Sequence, residues 1–383
     1  MSGNGDGTER IGENWDEALA DWDEEISEWE NSGTGNAGRR DGDTPDVRRG
    51  NEGADESNLE PESSGRVPKV VSAGHINWDV TIHVDQLPEP DGETRIERLE
   101  QSGGGSAANV AVGLVDLGGQ SVVYGSVGGD ESGALALREL ASAGVDPGQV
   151  LVDAAEPTSV KYVIVDGGGE LLMLANDGAN ESFTAAELDR DTLAAADHLH
   201  LTGQQPETAA ALATAAGEAG ATRSFDPGRR VGDREFDAAL HATDVLFLND
   251  REANALADAT DIDPWEPDDR VVAIKLGDEG ATIRTPHGDV SHPGFGVDPV
   301  DTTGAGDAFA AGFLGAALRE TEIVDDEGFS HDPRDYQVPL LVGNACGAIA
   351  AQTVTARADL SWDRIRSVMG GSPEADLLIE IRV

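Results

Sequence analysis

From Val67 onward, short apolar runs alternate with Ala-rich stretches. Runs at 69–74, 121–127, 198–203, 222–226, 244–249 and 270–277 are rich in Val, Ile, Leu and Phe over strand-like lengths and predict buried strands. Residues 106–117, 130–143, 206–219 and 250–258 predict the helices between them. This alternation predicts an α/β fold: a mostly parallel central sheet covered on both faces, with its site beyond the carboxyl ends of the strands. A second kind of run, at 78–84, 94–101, 158–166 and 170–175, mixes polar with apolar positions. It predicts a small, half-solvated β-sheet serving as a lid near 78–101 and 158–175.

The pattern ahead of Val67 is different. Trp15, Trp22 and Trp29 recur every seven residues, with Ala18, Leu19 and Ile26 near the same side of a helix otherwise covered in carboxylates. An acidic amphipathic helix is expected over 1–30, either as a docking element for an unknown partner or as an accessory without a catalytic role. Residues 31–66 are rich in Gly, Asp, Glu, Asn, Ser and Arg with almost no large apolar side chain, which predicts a disordered acidic linker. Residues 67–383 then form the main domain.

Charge narrows the partners. Acidic residues outnumber basic ones 74 to 26, and Lys69, Lys161 and Lys275 are the only lysines. Residues 1–66 carry 19 acidic and 6 basic residues, so 35 of the 48 net negative charges lie in 67–383. Phosphates of nucleic acid would meet a field of their own sign, which excludes free nucleic acid as the expected partner. Self-repulsion of this size is tolerable where salt is molar and the Debye length about 3 Å, so the body reads as adapted to a salty cytoplasm of the halophilic archaeal kind. The single cysteine, Cys346, permits neither an internal disulfide nor a thiolate-rich metal site. No basic segment followed by an apolar core opens the chain and no membrane-length apolar run occurs, so a cytoplasmic protein without membrane association is expected.

Candidate chemistry centres on DTTGAGDAF at 301–309. Gly304, Ala305 and Gly306 stand immediately before an Ala-rich helical run, so open backbone and a helix N-terminus meet, as an anion requires. Asp307, in the first helical turn, has the reach to take a proton from an alcohol held near a phosphate. Taken alone, the same Asp reads equally well as a helix cap. A P-loop, GxxxxGK[ST], is absent, as are protein-kinase HRD and DFG elements. Gly103-x-Gly105-x-x-Ala108 matches a dinucleotide pattern, but polar TRIERLEQS precedes it where a buried strand is needed.

DTTGAGDAFAAGF resembles the second signature of the PfkB/ribokinase family of carbohydrate and nucleoside kinases, and GGGSAANVAVGLVDLG with GSVGGDESG resembles the first. The resemblance spans about 68–370 and implies a ribokinase-like three-layer α/β/α fold. It further implies an ATP-dependent phosphotransferase with Asp307 as general base and Gly304, Ala305 and Gly306 as its anion hole. Asn249 and Glu252 match the family NxxE motif that orders Mg²⁺, directly or through water. Asp301 and Thr303 match a monovalent-cation site of some members, which would take K⁺. Lys275, Gly277 and Gly280 match the nucleotide loop, and Asn344 a position lining the adenine pocket. For the acceptor, Asn77, Asp79, Gly104, Gly105 and Asn109 match sugar-binding positions, and a homodimer through the lid is a family habit.

The acceptor stays open at this level. A sugar is expected first, since aromatics near the motifs are scarce. Arg95, Lys161, Arg229 and Arg230 are each able to neutralise an acceptor phosphate or simply to balance the acidic surface. Lys161, on a lid strand, is the most pointed of these and keeps sugar phosphates such as ribose 1-phosphate in play. Nucleosides remain, and so does a non-catalytic sugar sensor, against which an intact Asp307 and GAG argue.

Overall fold

Each apolar run forms a strand of one sheet because both of its faces are covered. The computed structural model describes residues 8–10, 67–168, 170–325, 328–353, 357–370 and 380–382. Strand β1 (Lys69–Ala73) leads into two lid strands, β2 (Asn77–Val84) and β3 (Ile96–Gly104), and helix α1 (Ser106–Asp116) returns the chain to β4 (Gln120–Tyr124). After α2 (Glu131–Ser142) come the remaining lid strands, β5 (Val160–Val165) and β6 (Leu171–Ala175). The chain re-enters the main sheet through β7 (His198–Thr202), α3 (Pro206–Glu218), β8 (Thr222–Asp226), β9 (Val245–Asn249), α4 (Asp250–Ala259) and β10 (Val271–Lys275). A hairpin of β11 (Ala281–Thr285) and β12 (Gly288–His292), helices α5 (Ala305–Ala317) and α6 (Gln337–Ala351), and strand β13 (Glu380–Arg382) follow.

The nine-stranded sheet runs β13-β12-β11-β10-β9-β8-β7-β1-β4. Strands β10 to β4 in that order are parallel, and the hairpin side is antiparallel. Alternation of faces explains the unbroken apolar runs: Val245 and Phe247 pack on one side with α5 and α6, while Leu246 and Leu248 pack on the other with α3 and α4. The strands β11 and β12 have no counterpart in the sequence-based expectation.

Helices α5 and α6 cross closely because a Cβ on Gly312 would lie 2.8 Å from the Cys346 Sγ. Phe247, Phe309, Phe313 and Tyr336 form a chain of ring contacts there, with centroids 5.4–6.4 Å apart. Losing one such buried ring costs about 3–5 kcal/mol. This packing fixes the start of α5, where the candidate base stands.

The lid is a four-stranded sheet, β3-β2-β5-β6, with β2 and β5 parallel and the outer pairs antiparallel. Its inner side chains Ile76, Trp78 and Val80 join Ala107, Ala111, Leu137 and Leu140 in a separate core cluster, so the lid is seated on α1 and α2. The expected Trp-bearing helix over 1–30 and linker over 31–66 lie outside the described residues except at Thr8–Arg10. That segment is extended, not helical, and pairs antiparallel with Leu151–Asp153, whose edge supplies the backbone partners.

Candidate active site

Adjacent parallel strands end side by side, and this brings the separated motifs together. Strand β1 runs into Gly74–Asp79, β8 ends at Asp226, β9 at Asn249 and β10 at Lys275. Between β1 and β7 the chain connections leave in opposite directions, which opens a crevice at the switch point. The start of α5 faces these ends.

Gly304 occupies the left-handed region at φ 78°, and no side chain caps the helix that follows. By contrast, Asp130 caps α2 and Asn249 caps α4. The first-turn N–H groups of α5 are therefore presented without a protein side chain answering them. Asp307 accepts a hydrogen bond from Asn109 Nδ2 at 2.8 Å, joining residues 198 positions apart. Burial pushes its carboxyl above the usual range; Asn109 and Lys275 oppose that shift and Asp226 adds to it.

Lys275 donates to Asp226 Oδ2 at 2.6 Å. A Cβ on Gly306 would lie 3.2 Å from its Nζ, so the ammonium reaches the candidate anion hole. Burial alone would lower its pKa, yet Asp226, Glu252 and Asp307 hold it above the ordinary value. The residue expected in the nucleotide loop thus ends a sheet strand and turns its charge toward Asp226 and the start of α5.

Asn249 and Glu252 form a reciprocal capping box: Glu252 Oε2 accepts from the Asn249 N–H and Asn249 Oδ1 accepts from the Glu252 N–H, both at 2.9 Å. The helix-start role of NxxE is thereby realised, with Glu252 Oε2 and Asn249 Oδ1 each engaged by a backbone N–H. Burial, followed by the Asp226 charge, raises the Glu252 pKa.

On the acceptor side, Asp79 pairs across the lid with Lys161. Burial raises its pKa, with Lys161 and then Arg357 pulling it back, and its Oδ1 is buried with no hydrogen-bond partner. Gly104 leaves room for that carboxylate, since a Cβ there would sit 2.4 Å from Asp79 Oδ2. Gly105 adopts φ 93°, and a Cβ would meet the His75 carbonyl oxygen at 2.3 Å. Asn77 Oδ1 accepts from Asn180 Nδ2 at 2.7 Å, which ties the segment down.

Gly277 and Gly280 both have positive φ in the turn after β10, and Gly280 packs against the β12 end where a Cβ would meet His292 O at 2.1 Å. Asn344 is buried on α6, its Nδ2 3.4 Å from His292 Nδ1. Asp301 Oδ1 accepts from Thr303 N at 2.8 Å, forming the turn ahead of α5. Arg230 is committed to Glu181 at 3.1 Å, and Arg95 and Arg229 are exposed.

Sequence reasoning missed Asp226, Glu139 and Arg357. Asp226 ends a predicted strand at the sheet's carboxyl edge, which was a usable signal. Arg357 donates to Asn109 Oδ1 at 3.1 Å and to Glu139 Oε1 at 2.8 Å, contacts that span 248 and 218 residues and leave no local trace.

Among described residues, no helix is long and apolar enough to cross a membrane. The chain aligns at 50% identity over 302 residues with an ATP-dependent ribose-1-phosphate kinase of Halopiger xanaduensis, covering 79% of this chain and 98% of that protein. It is 30% identical over 260 residues to a nucleoside kinase of Methanothermobacter thermautotrophicus, covering 66% and 84%. Among solved structures, Arabidopsis thaliana ribokinase complexed with ribose and ATP superposes with TM-score 0.66 at 22% identity, covering 80% of this chain and all of that one. The nucleoside kinase of Methanocaldococcus jannaschii gives 0.64 at 23%, with coverage of 80% and 100%. Residues 67–363 match the pfkB family carbohydrate kinases, and with the two glycine-rich signatures brought to one crevice, the chain belongs to that family.

Proposed function

We propose that the protein is an ATP-dependent kinase that phosphorylates a hydroxyl of ribose 1-phosphate. The observation that carries this reading is the 50% identity spanning 98% of a relative named for that activity. The acceptor side supports it: in a strongly acidic chain, one of only three lysines, Lys161, stands opposite Asp79 on the lid and bears on its carboxylate. A phosphorylated acceptor needs such charge, whereas a free sugar or nucleoside does not.

In this reading the acceptor oxygen attacks the γ-phosphorus as the bond to the bridging oxygen of ADP breaks, and the hydroxyl proton passes to Asp307. The α5 N–H groups and Lys275 face the charge carried by the transferring group. Mg²⁺ bound with ATP would supply neutralisation of the phosphate charge. The capping box leaves Glu252 one oxygen, and no cluster of three or more His, Cys, Asp or Glu among the described residues is arranged for a metal. These residues fit an ion that ATP phosphates would hold, with Glu252 and Asp226 reaching it through water, and not a protein cage. Asp301 and Thr303 would hold K⁺ at the turn before α5, and replacing KCl by NaCl tests that. The acidic body supports a setting of high cytoplasmic salt.

ADP release is to be measured in molar KCl with ribose 1-phosphate, ribose, ribose 5-phosphate, fructose and adenosine. Ribose 1-phosphate is expected to give the highest kcat/KM, and Lys161→Met to raise its KM by about tenfold or more while sparing ribose. A free sugar or nucleoside used as well as ribose 1-phosphate would overturn the assignment.

A further inference from the structure

Glu139, Arg357, Asn109 and Asp307 are joined in series. Arg357 Nη1 donates to Glu139 Oε1 at 2.8 Å, its Nε donates to Asn109 Oδ1 at 3.1 Å, and Asn109 Nδ2 donates to Asp307 Oδ2 at 2.8 Å. An asparagine amide is two-faced: turned over, it would set its oxygen against the Asp307 carboxylate. A guanidinium is a donor only, so Arg357 accepts nothing but the oxygen face and leaves the NH₂ face for Asp307. One rotamer of the amide, and through it one position of the carboxylate, is selected.

The same pair grips the lid. Arg357 Nη2 donates to Gly104 O at 3.2 Å and Glu139 Oε2 accepts from Gly103 N at 2.8 Å, both at the end of β3. A Cβ on Gly103 would lie 2.0 Å from Arg357 Nη1, so the guanidinium rests directly on lid backbone. Only 8% of the Arg357 side chain is exposed, which keeps the geometry out of competition with water.

We infer that Arg357, held by Glu139 and by the end of the lid strand, is a positioning residue for phosphoryl transfer: it fixes the Asn109 amide that holds Asp307. The inference rests on Asp307 being that base. A lysine retains the charge but gathers its donors on one nitrogen, and so does not serve Glu139, Asn109 and Gly104 together.

The test uses the full chain with ribose 1-phosphate and ATP in molar KCl. Arg357→Lys is expected to lower kcat by about tenfold or more while the KM for ATP holds. Asp307 is faced by Ser106 and Asn109 from α1, by Asp226 and Lys275 from the sheet, and by the charge of Arg357. Losing the Asn109 donation removes a contact that favours the ionised carboxylate, so the acidic limb of the kcat profile moves to higher pH. In an Asn109→Ala background the same Arg357→Lys change is expected to lower kcat by less than about twofold further, because its effect passes through the amide. Losses that multiply in the double variant, or a wild-type kcat and pH limb in Arg357→Lys, would overturn the inference. Should Arg357→Lys not fold, Glu139→Gln loosens the guanidinium from a side chain 35% exposed; it must lower kcat several-fold and move the limb the same way, and wild-type behaviour refutes the proposal. An Asp307→Asn enzyme with wild-type turnover would instead remove the base reading, and the inference with it.

Discussion

A carboxyl group buried near a second carboxylate resists ionisation, and Asp307 is in that position with Asp226 close by. A general base works only when ionised, so with Asp307 in the proposed role turnover is expected to fall as pH drops through its raised pKa, above the ordinary carboxylate range of about 4. Lys275 counters the raise by stabilising the charged form. Lys275→Met is therefore expected to shift the acidic limb of kcat to still higher pH, besides lowering kcat by about tenfold or more through loss of charge at the anion hole. A limb that stays in place, followed from pH 5 upward, would show that Lys275 does not sense the base.

At the scale of elements, the lid strand β3 ends in glycines because side chains from elsewhere fill the space of a Cβ. In Gly104→Ala the methyl would meet the Asp79 carboxylate at 2.4 Å. Overpacking of this kind costs about 1–3 kcal/mol. If the cost falls on the bound acceptor, the KM for ribose 1-phosphate rises by about tenfold or more while that for ATP stays within about twofold; equal effects on both substrates would contradict a lid-side role. The main strands and their carboxyl-end motifs were legible because each is a local run, such as VVAIK closing on Lys275 or VLFLN on Asn249. The hairpin of β11 and β12 escaped because polar Thr282, Arg284 and Ser291 interrupt its apolar positions. Arg357 escaped for a stronger reason: nothing in ARAD marks an arginine whose partners lie more than 200 residues away. The inward turn of Lys275 was likewise invisible, since Asp226 becomes its neighbour only through strand order.

For the molecule as a whole, a net charge of −48 makes salt the condition expected to govern stability. Carboxylates repel across the surface at low ionic strength and are screened in molar salt. The melting temperature is expected to rise by on the order of 10 °C between about 0.1 and 2 M KCl; a flat or falling curve in calorimetry would show that repulsion does not limit stability. In salt that holds the fold, the direct test of the catalytic account is the turnover of Asp307→Asn with ATP and ribose 1-phosphate, read beside its affinity for ATP. The prediction is a kcat lower by about a hundredfold or more with ATP affinity within about threefold of the parent, as loss of a general base requires. A kcat close to that of the parent would contradict it.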